Sequence, residues 1–321
     1  MNETQSKLQI ISGSAHPDLA EQIAKALNVD LCRTDLGNFA NGEIGVKILD
    51  SVRGNDVFVI QSHTGDLNSS IMEQALIIDA AKRADARSIT AVCPFMAYAR
   101  QDRKSNVREP IAARVVVDIL VNAGADRMMS VDLHSGQIQG FMNGPFDHVI
   151  ARPVLIDYLK KSFKKEDLVI VSPDAGRVKS AERYSNEIGC GIAIVHKHRS
   201  YSERNQAEAK NLIGDVKGKI CVIIDDMIDT AGTICAAADL ISKEGATEVY
   251  GLTTHAILSE PAASRIAESS FKQIIATNTL PVVANVPKLQ TISIAPLLAE
   301  AIKAAQTGKS ISAIFDGENQ Y

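Results

Sequence analysis

Two adjacent acids, Asp225 and Asp226, close an apolar run at 220–224, and Asp229-Thr230-Ala231-Gly232-Thr233 follows three residues later. The run reads as a buried parallel strand, and the apolar spacing of 236–242 predicts a helix after it. Carboxylates at the carboxyl end of a strand, followed by backbone amides at a helix N-terminus, form a two-part receptor. The acids suit the hydroxyl donors of a vicinal diol, or a metal ion. The amides of 229–233, with the hydroxyls of Thr230 and Thr233, suit a phosphate. A sugar phosphate has both ends. Acids and glycine also occur at functionless strand tips, but paired acids with Asp-Thr-x-Gly-Thr behind them shift the reading to a site.

The segment resembles the phosphoribosyl-diphosphate binding motif of phosphoribosyltransferase-fold proteins, which names a ligand class rather than a reaction. Four other clusters could do chemistry. Phe39-Ala40-Asn41-Gly42-Glu43 reads as a turn between strands. Its aromatic face beside amide and carboxylate acceptors could hold a purine base, although Asn-Gly makes a turn without any function. The segment 98–104 (YARQDRK), running to Arg108-Glu109-Pro110, carries Arg100, Arg103, Lys104 and Arg108 just after a strand at 89–93. A solvated charged loop is the ordinary explanation, and position after a strand end favours an anion site. Pro110 fits the first turn of a helix ending near Gly124. Asp132 and His134 stand at another strand end, where alternation would put both side chains on one side. Finally, Ser172-Pro173-Asp174-Ala175-Gly176 follows a strand and could hold a metal-bound diphosphate, and His196-Lys197-His198-Arg199 opens a polar stretch at 200–210. A cation pair at the root of a mobile loop is what phosphoryl transfer needs, since its catalysis is mostly positioning and charge neutralisation. An exposed charged hairpin is the plain alternative.

Whatever positions these residues must be sizeable. A chain of 321 residues with 45% hydrophobic and 22% charged residues is ordinary for a soluble protein of about two domains. Aromatics at 4%, no Trp and a net charge of −4 argue against nucleic acid and anionic membrane as partners. Cys32, Cys93, Cys190, Cys221 and Cys235 are scattered and odd in number, as expected of reduced thiols in a cytoplasmic protein. The first residues lack the pattern of a signal peptide, and no apolar run approaches the roughly 20 residues that span a bilayer.

The chain also repeats itself. Val52-Arg53-Gly54 leads into an apolar strand at 57–60, as Val216-Lys217-Gly218 leads into 221–224, and 79–92 matches 239–252. Alternating strands and helices imply an α/β fold with a mostly parallel sheet covered by helices in each half. Where the second half has Asp225 and Asp226, the first has Gln61 and Ser62, so the first half has another job. The expected division is 1–150, 151–300 and a tail at 301–321 that returns to the first half through Ile311, Ile314 and Phe315.

Together, FANGE, YARQDRK, VDLHSGQIQGF, VSPDAG, HKHR and DDMIDTAGT resemble the ribose-phosphate diphosphokinase family (phosphoribosyl-pyrophosphate synthetases), in its bacterial-type class I form, over nearly the full length. The resemblance implies two phosphoribosyltransferase-like domains, each a mostly parallel sheet flanked by helices. It implies transfer of the diphosphoryl group of ATP to the anomeric hydroxyl of ribose 5-phosphate, with Mg²⁺ as cofactor and AMP released. It places ATP on Phe39, Asn41, Gly42, Glu43, Arg100 and Gln101, and Mg²⁺ on His134 and Asp174. Lys197 and Arg199 become the charge-stabilising pair on a closing lid. Ribose 5-phosphate falls to Arg199, Asp225, Asp226, Asp229, Thr230, Ala231, Gly232 and Thr233. A homo-oligomer, hexameric in the family, is also implied.

Departures fall around the family's effector site for ADP and phosphate. Ser51, Arg53, Arg108, Ser310, Ser312 and Phe315 match positions associated with it. Asn106 and Val107 stand where a basic residue and Ser are usual, and Asn143 and His148 where Asp and Asn are common. An anion site with altered effector response is expected. The lid is slightly longer than usual, through Ser202, Glu203 and Arg204. The rival functions are a phosphoribosyltransferase and a non-catalytic subunit of the same family. A P-loop kinase is disfavoured by the lack of G-x-x-x-x-G-K-[ST].

Overall fold

The computed structural model describes residues 6–198, 209–282 and 286–315, with side chains at 197–198 and 209–210 excepted. The chain divides into two compact units: Met1–Ile150 with Thr279–Pro281 and Ser293–Tyr321, and Ala151–Asn278 with Val282–Ile292.

The first unit runs β1 (Leu8–Ser12), α1 (Pro17–Leu27), β2 (Thr34–Asn38), β3 (Ile44–Ile48), β4 (Asp56–Ile60), α2 (Leu67–Arg83), β5 (Ser88–Cys93), α3 (Ala112–Ala123), β6 (Arg127–Val131) and β7 (Phe146–Val149). Five of these strands form a parallel sheet in the order β1-β4-β5-β6-β7, while β2 and β3 pair antiparallel by themselves. β4 reads Asp-Val-Phe-Val-Ile and is buried along its whole length, as a strand covered on both faces must be. Ile77, Ile78, Val117 and Leu120 from α2 and α3 pack with Val57 and Val59 of β4 in one core.

The second unit runs α4 (Arg152–Ser162), β8 (Leu168–Ser172), α5 (Val178–Ile188), β9 (Gly191–His198), β10 (Ala209–Ile213), β11 (Ile220–Ile228), α6 (Gly232–Lys243), β12 (Glu248–Ala256), α7 (Ala262–Glu268), β13 (Gln273–Thr277) and β14 (Leu289–Ile292). Its sheet order is β10-β9-β8-β11-β12-β13-β14, parallel except for β10 against β9. The chain then returns to the first unit, where α8 (Ala295–Gln306) packs against α1. The second unit therefore ends at Ile292 rather than at 300. The apolar face of α8, with Leu298 and Ile302 fully buried, is what draws 293–306 back with the tail. No helix among the described residues is long and apolar enough to cross a membrane.

The internal repeat extends to backbone geometry. The sheets share the order β1-β4-β5-β6-β7 and β8-β11-β12-β13-β14. Gly54 and Gly218 hold φ of 70° and 71°, the left-handed region glycine tolerates best. The Gly54 amide donates to the Asp85 carbonyl at 2.8 Å, and the Gly218 amide to the Gly245 carbonyl at 2.9 Å. Arg87 to Asn55 at 2.9 Å is matched by Thr247 to Lys219 at 2.8 Å. Chance convergence of two strand–helix–strand units would not reproduce the turn bonds pair by pair.

At the amino end of β4 the first unit buries a carboxylate. Asp56 accepts from Arg87 Nε at 2.9 Å, Ser88 Oγ at 2.6 Å and Ser6 Oγ at 2.7 Å, and the second Arg87 nitrogen closes a two-toothed pair. Burial alone would raise the Asp56 carboxyl, but these donors hold it below the usual range. A depressed folded pKa means stabilisation that is present above the unfolded value, near pH 4, and lost as pH falls through the folded value. Asp56→Ala should therefore lower unfolding free energy at pH 7 by about 1–3 kcal/mol, measured by urea denaturation, and the gap from wild type should narrow below about pH 3.

Candidate active site

The second unit assembles the paired acids and the amide turn at one sheet end. β11 does not stop at 224: it stays paired with β12 through Ile228, opposite Ala256, so Asp225 and Asp226 lie within the strand. On its other edge the ladder to β8 ends at Ile223 opposite Val171. Beyond that point the β8-side edge of β11 is open, and Arg177 fills it. Arg177 Nε stands 3.0 Å from Asp225 Oδ1, and its terminal nitrogen pairs with Asp226 Oδ1. Neighbouring strand residues point to opposite faces, so only a long, forked cation at a free edge reaches both. The Asp226 amide also donates to Asp225 Oδ1 at 2.9 Å.

The electrostatics follow from crowding. Burial pushes the Asp225 carboxyl up, Asp226 pushes it further, and Arg177 pulls against both. Burial works against the Arg177 charge, yet Asp226, Asp225 and then Asp174 raise its pKa. The Arg177 and Asp225 side chains each keep 24% of their surface accessible, so a ligand can reach the pair.

The turn at 229–233 is built for amides. Ala231 sits at φ 58° before the first residue of α6, and the first helical bond runs from Cys235 to the Ala231 carbonyl. The amides of Gly232, Thr233 and Ile234 precede that bond and lie at the positive end of the helix. Arg265 of α7 donates to the Thr230 carbonyl at 2.9 Å and tethers the turn. At Gly232 a Cβ would approach the Arg265 guanidinium to 3.2 Å, so only a glycine leaves this tether undisturbed.

Asp174 belongs to the same neighbourhood. Its Oδ1 accepts from the amides of Gly176 at 2.9 Å and Arg177 at 3.2 Å, and Ser172 Oγ donates to its carbonyl at 2.6 Å. Both of these carboxylate bonds fall on Oδ1. Among the described residues no three acidic, His or Cys groups converge as a complete metal cage. Lys197 is in β9, opposite Lys210 of β10. Arg199 and the lid residues Ser202, Glu203 and Arg204 lie outside the described residues.

The first unit holds the expected nucleotide residues. Between β2 and β3, the Phe39 amide donates to the Glu43 carbonyl at 2.7 Å, and Gly42, at φ 89°, donates back to the Phe39 carbonyl at 2.8 Å. Asn41 Oδ1 accepts the Glu43 amide at 3.2 Å. The Phe39 ring lies over Gly45, where a Cβ would come within 3.2 Å, and is 63% exposed. A hydrophobic ring held face-out on a tight turn suits stacking.

Arg100 and Gln101 are exposed on a loop whose root is rigid. His63 is fully buried, and burial lowers its pKa to about 4 despite its hydrogen bond to Gln74. Its Nδ1 accepts the Ala97 amide at 3.2 Å, which leaves Nε2 to donate to Gln74 Oε1 at 2.9 Å. Gln74 in turn donates to the carbonyls of Val59 and Val92, tying the loop to β4 and β5. Tyr98, at φ 62°, donates from its hydroxyl to Asn68 Oδ1 at 2.7 Å. α3 begins at Ala112, two residues past Pro110, and Glu109 accepts from the amides of Ser105 and Asn106 and from the Asn106 side chain.

One geometric expectation fails. β6 ends at Val131 and Asp132 has φ 36°, so strand alternation does not align Asp132 with His134. The turn is held instead by His148, whose Nε2 accepts the Leu133 amide at 2.9 Å. At the positions equivalent to the paired acids, Gln61 and Ser62 are buried and spent. Gln61 donates to Glu73 at 2.6 Å and Ser62 to the Thr279 carbonyl at 2.6 Å, while Ser14 closes on Glu73 through its amide and hydroxyl. Of the effector-site candidates, Ser310 and Ser312 share a hydrogen bond at 2.8 Å, Arg53 pairs with Asp85 at 2.6 Å, and Phe315 is buried. Ser51 and Arg108 are exposed, the latter at φ 66°.

Sequence reading missed Arg177, Arg265 and His63, and took His148 only as a departure around the effector site. Arg177 had a findable signal, since two neighbouring buried acids demand a cation and it stands three residues past Asp174. The others had none, because the turns they hold are reached through main-chain groups.

Comparison with known proteins identifies the family. Residues 8–124 match the N-terminal domain of ribose phosphate pyrophosphokinase, and residues 204–316 the phosphoribosyl synthetase-associated domain. The ribose-phosphate pyrophosphokinase of Streptomyces coelicolor is 48% identical over 97% of this chain and 97% of its own. That of Corynebacterium glutamicum is 48% identical over 98% of both. The crystal structure of phosphoribosylpyrophosphate synthetase from Mycobacterium smegmatis superposes with a TM-score of 0.88 at 48% identity, over 94% of this chain and 100% of that one. The chain belongs to the ribose-phosphate pyrophosphokinase family, a family of diphosphate-transferring enzymes.

Proposed function

We propose that this enzyme transfers the diphosphoryl group of ATP to the anomeric hydroxyl of ribose 5-phosphate, giving phosphoribosyl diphosphate and AMP for nucleotide biosynthesis in the cytoplasm. The observation that carries the reading is the receptor of the second unit, in which paired carboxylates on β11 and unbonded amides opening α6 belong to one strand–turn–helix. Asp225 and Asp226 accept the pentose hydroxyls, and the turn from Asp229 through Thr230, Ala231, Gly232 and Thr233 wraps the 5-phosphate. Phe39 stacks on the adenine, Asn41, Gly42 and Glu43 meet its edge, and Arg100 and Gln101 take the triphosphate. Lys197 and Arg199 steady the charge dispersed over the transferring group, with Arg199 also reaching the pentose phosphate.

Mg²⁺ is the proposed cofactor. Asp174 fits it, as a carboxylate oriented by two amides on one oxygen. The resemblance also places Mg²⁺ on His134. When bound, the ion would neutralise diphosphate charge. A homo-oligomer, hexameric by resemblance, is part of the same reading.

A second proposal concerns regulation. In the first unit a cavity of about 350 Å³ is lined by Lys303, Thr307, Lys309 and Ser310, with the acid Glu300 and the apolar Ala304, Ala313 and Ile314 beside them. Its two cations and hydroxyls suit an anionic effector, and the resemblance adds Ser51, Arg53, Arg108, Ser312 and Phe315, which are not among its lining residues. Asn106 is already engaged with Glu109, which supports an altered response.

Incubation with ATP, Mg²⁺ and ribose 5-phosphate should release AMP, and omitting the pentose should abolish it. A phosphoribosyltransferase or a non-catalytic subunit would release none under either condition. Lys197→Ala should lower turnover by roughly 10³ or more with little change in ATP binding, and near-normal turnover would contradict its role. Asp225→Ala should raise KM for ribose 5-phosphate far more than KM for ATP. Titrating activity with ADP and phosphate tests the effector proposal: the strong inhibition and activation usual for the family would reject it.

A further inference from the structure

The paired acids admit two ligands in principle, a vicinal diol or a divalent cation. Arg177 distinguishes them. Its guanidinium reaches one oxygen of each carboxylate, with Nε 3.0 Å from Asp225 and a terminal nitrogen paired with Asp226. Its own backbone amide is fixed at 3.2 Å by the Asp174 carboxylate, and its side chain is three-quarters buried. A planar fork held at both ends does not swing away at little cost. The Asp225 side chain keeps 24% of its surface accessible, and a carboxylate accepts from a hydroxyl without needing a further positive charge.

We propose that Arg177 is a positioning and specificity-determining residue: it occupies the cation place between Asp225 and Asp226, fixes their rotamers, and so dedicates the pair to the neutral diol of a pentose while denying it to a free divalent ion. The proposal rests on the pentose reading of this site. It accounts for the three acids near Arg177, Asp174 included, forming no metal cage. Asp174 is left as the acid that can meet a metal-bound diphosphate, so pentose and metal are sorted onto different carboxylates of one neighbourhood.

The test uses the full-length chain and two titrations. In calorimetric titration with ribose 5-phosphate, Arg177→Ala should weaken affinity roughly tenfold to a hundredfold, as losing a charged hydrogen-bond partner does. Arg177→Lys should recover part of the loss, since it restores the charge without the fork. ATP affinity should change far less, because the bond that Arg177 makes to Asp174 comes from its backbone amide, which the alanine variant keeps. In Mn²⁺ titration followed by electron spin resonance of the free ion, Arg177→Ala should gain a bound ion that Arg177→Ala/Asp225→Asn lacks. Unchanged pentose affinity, or no added Mn²⁺, overturns the proposal. Should the alanine variant not fold, Arg177→Lys decides: weaker pentose binding at unchanged ATP affinity supports it, and equal loss of both overturns it. A wild-type chain that binds no ribose 5-phosphate would instead sink the pentose reading beneath it.

Discussion

Two carboxylates on successive residues of a largely buried strand repel each other, and burial penalises each charge separately. Both remain useful as acceptors only if something positive sits beside them. In this chain that constraint is met by Arg177, and much of the local architecture serves it. β8 is short enough to leave the edge of β11 open beyond Ile223. The turn after β8 returns through Asp174 to bring the guanidinium to that edge. Without the open edge, one carboxylate would face away from any shared cation.

The same scaffold, used twice, shows what happens when the acids are absent. The first unit keeps the strand order and the turn hydrogen bonds but carries Gln61 and Ser62 at the acid positions. Neutral groups there need no cation and no solvent access, so they bond inward to Glu73 and Thr279. At Gly13 a Cβ would lie 2.4 Å from the Gln61 side chain, which is packed as filler. The candidate nucleotide residues of this unit come from its loops, the β2–β3 turn and the basic segment after β5. The five matched strands keep their order in both sheets, while the strand tips, the connections and the β9–β10 extension of the second sheet differ.

The fold was largely legible because its signals are local. Continuous apolar runs such as 169–171 and 221–224 announced covered strands, and the matched Val-x-Gly leads announced the duplication. The pentose motif was legible for a similar reason, since acids, turn and helix start are contiguous. Where reading failed, the cause was long-range pairing or main-chain strain. The extension of β11 to Ile228 depends on β12 continuing to Ala256. The left-handed Asp132 cancels an alternation that composition alone suggests. His63 and His148 act on the amides of Ala97 and Leu133, contacts that leave no trace in residue spacing. The boundary at 300 was misplaced because α8 answers to α1, far away in sequence.

The central claim is that one strand–turn–helix in the second unit grips a pentose monophosphate at both ends. A crystal structure of the chain soaked with ribose 5-phosphate tests it most directly. The account predicts the ring hydroxyls within hydrogen-bond distance of Asp225 and Asp226, and the phosphate on the amides of Gly232 and Thr233. A pentose bound elsewhere, or one reversed so that its phosphate faces the acids, would contradict it.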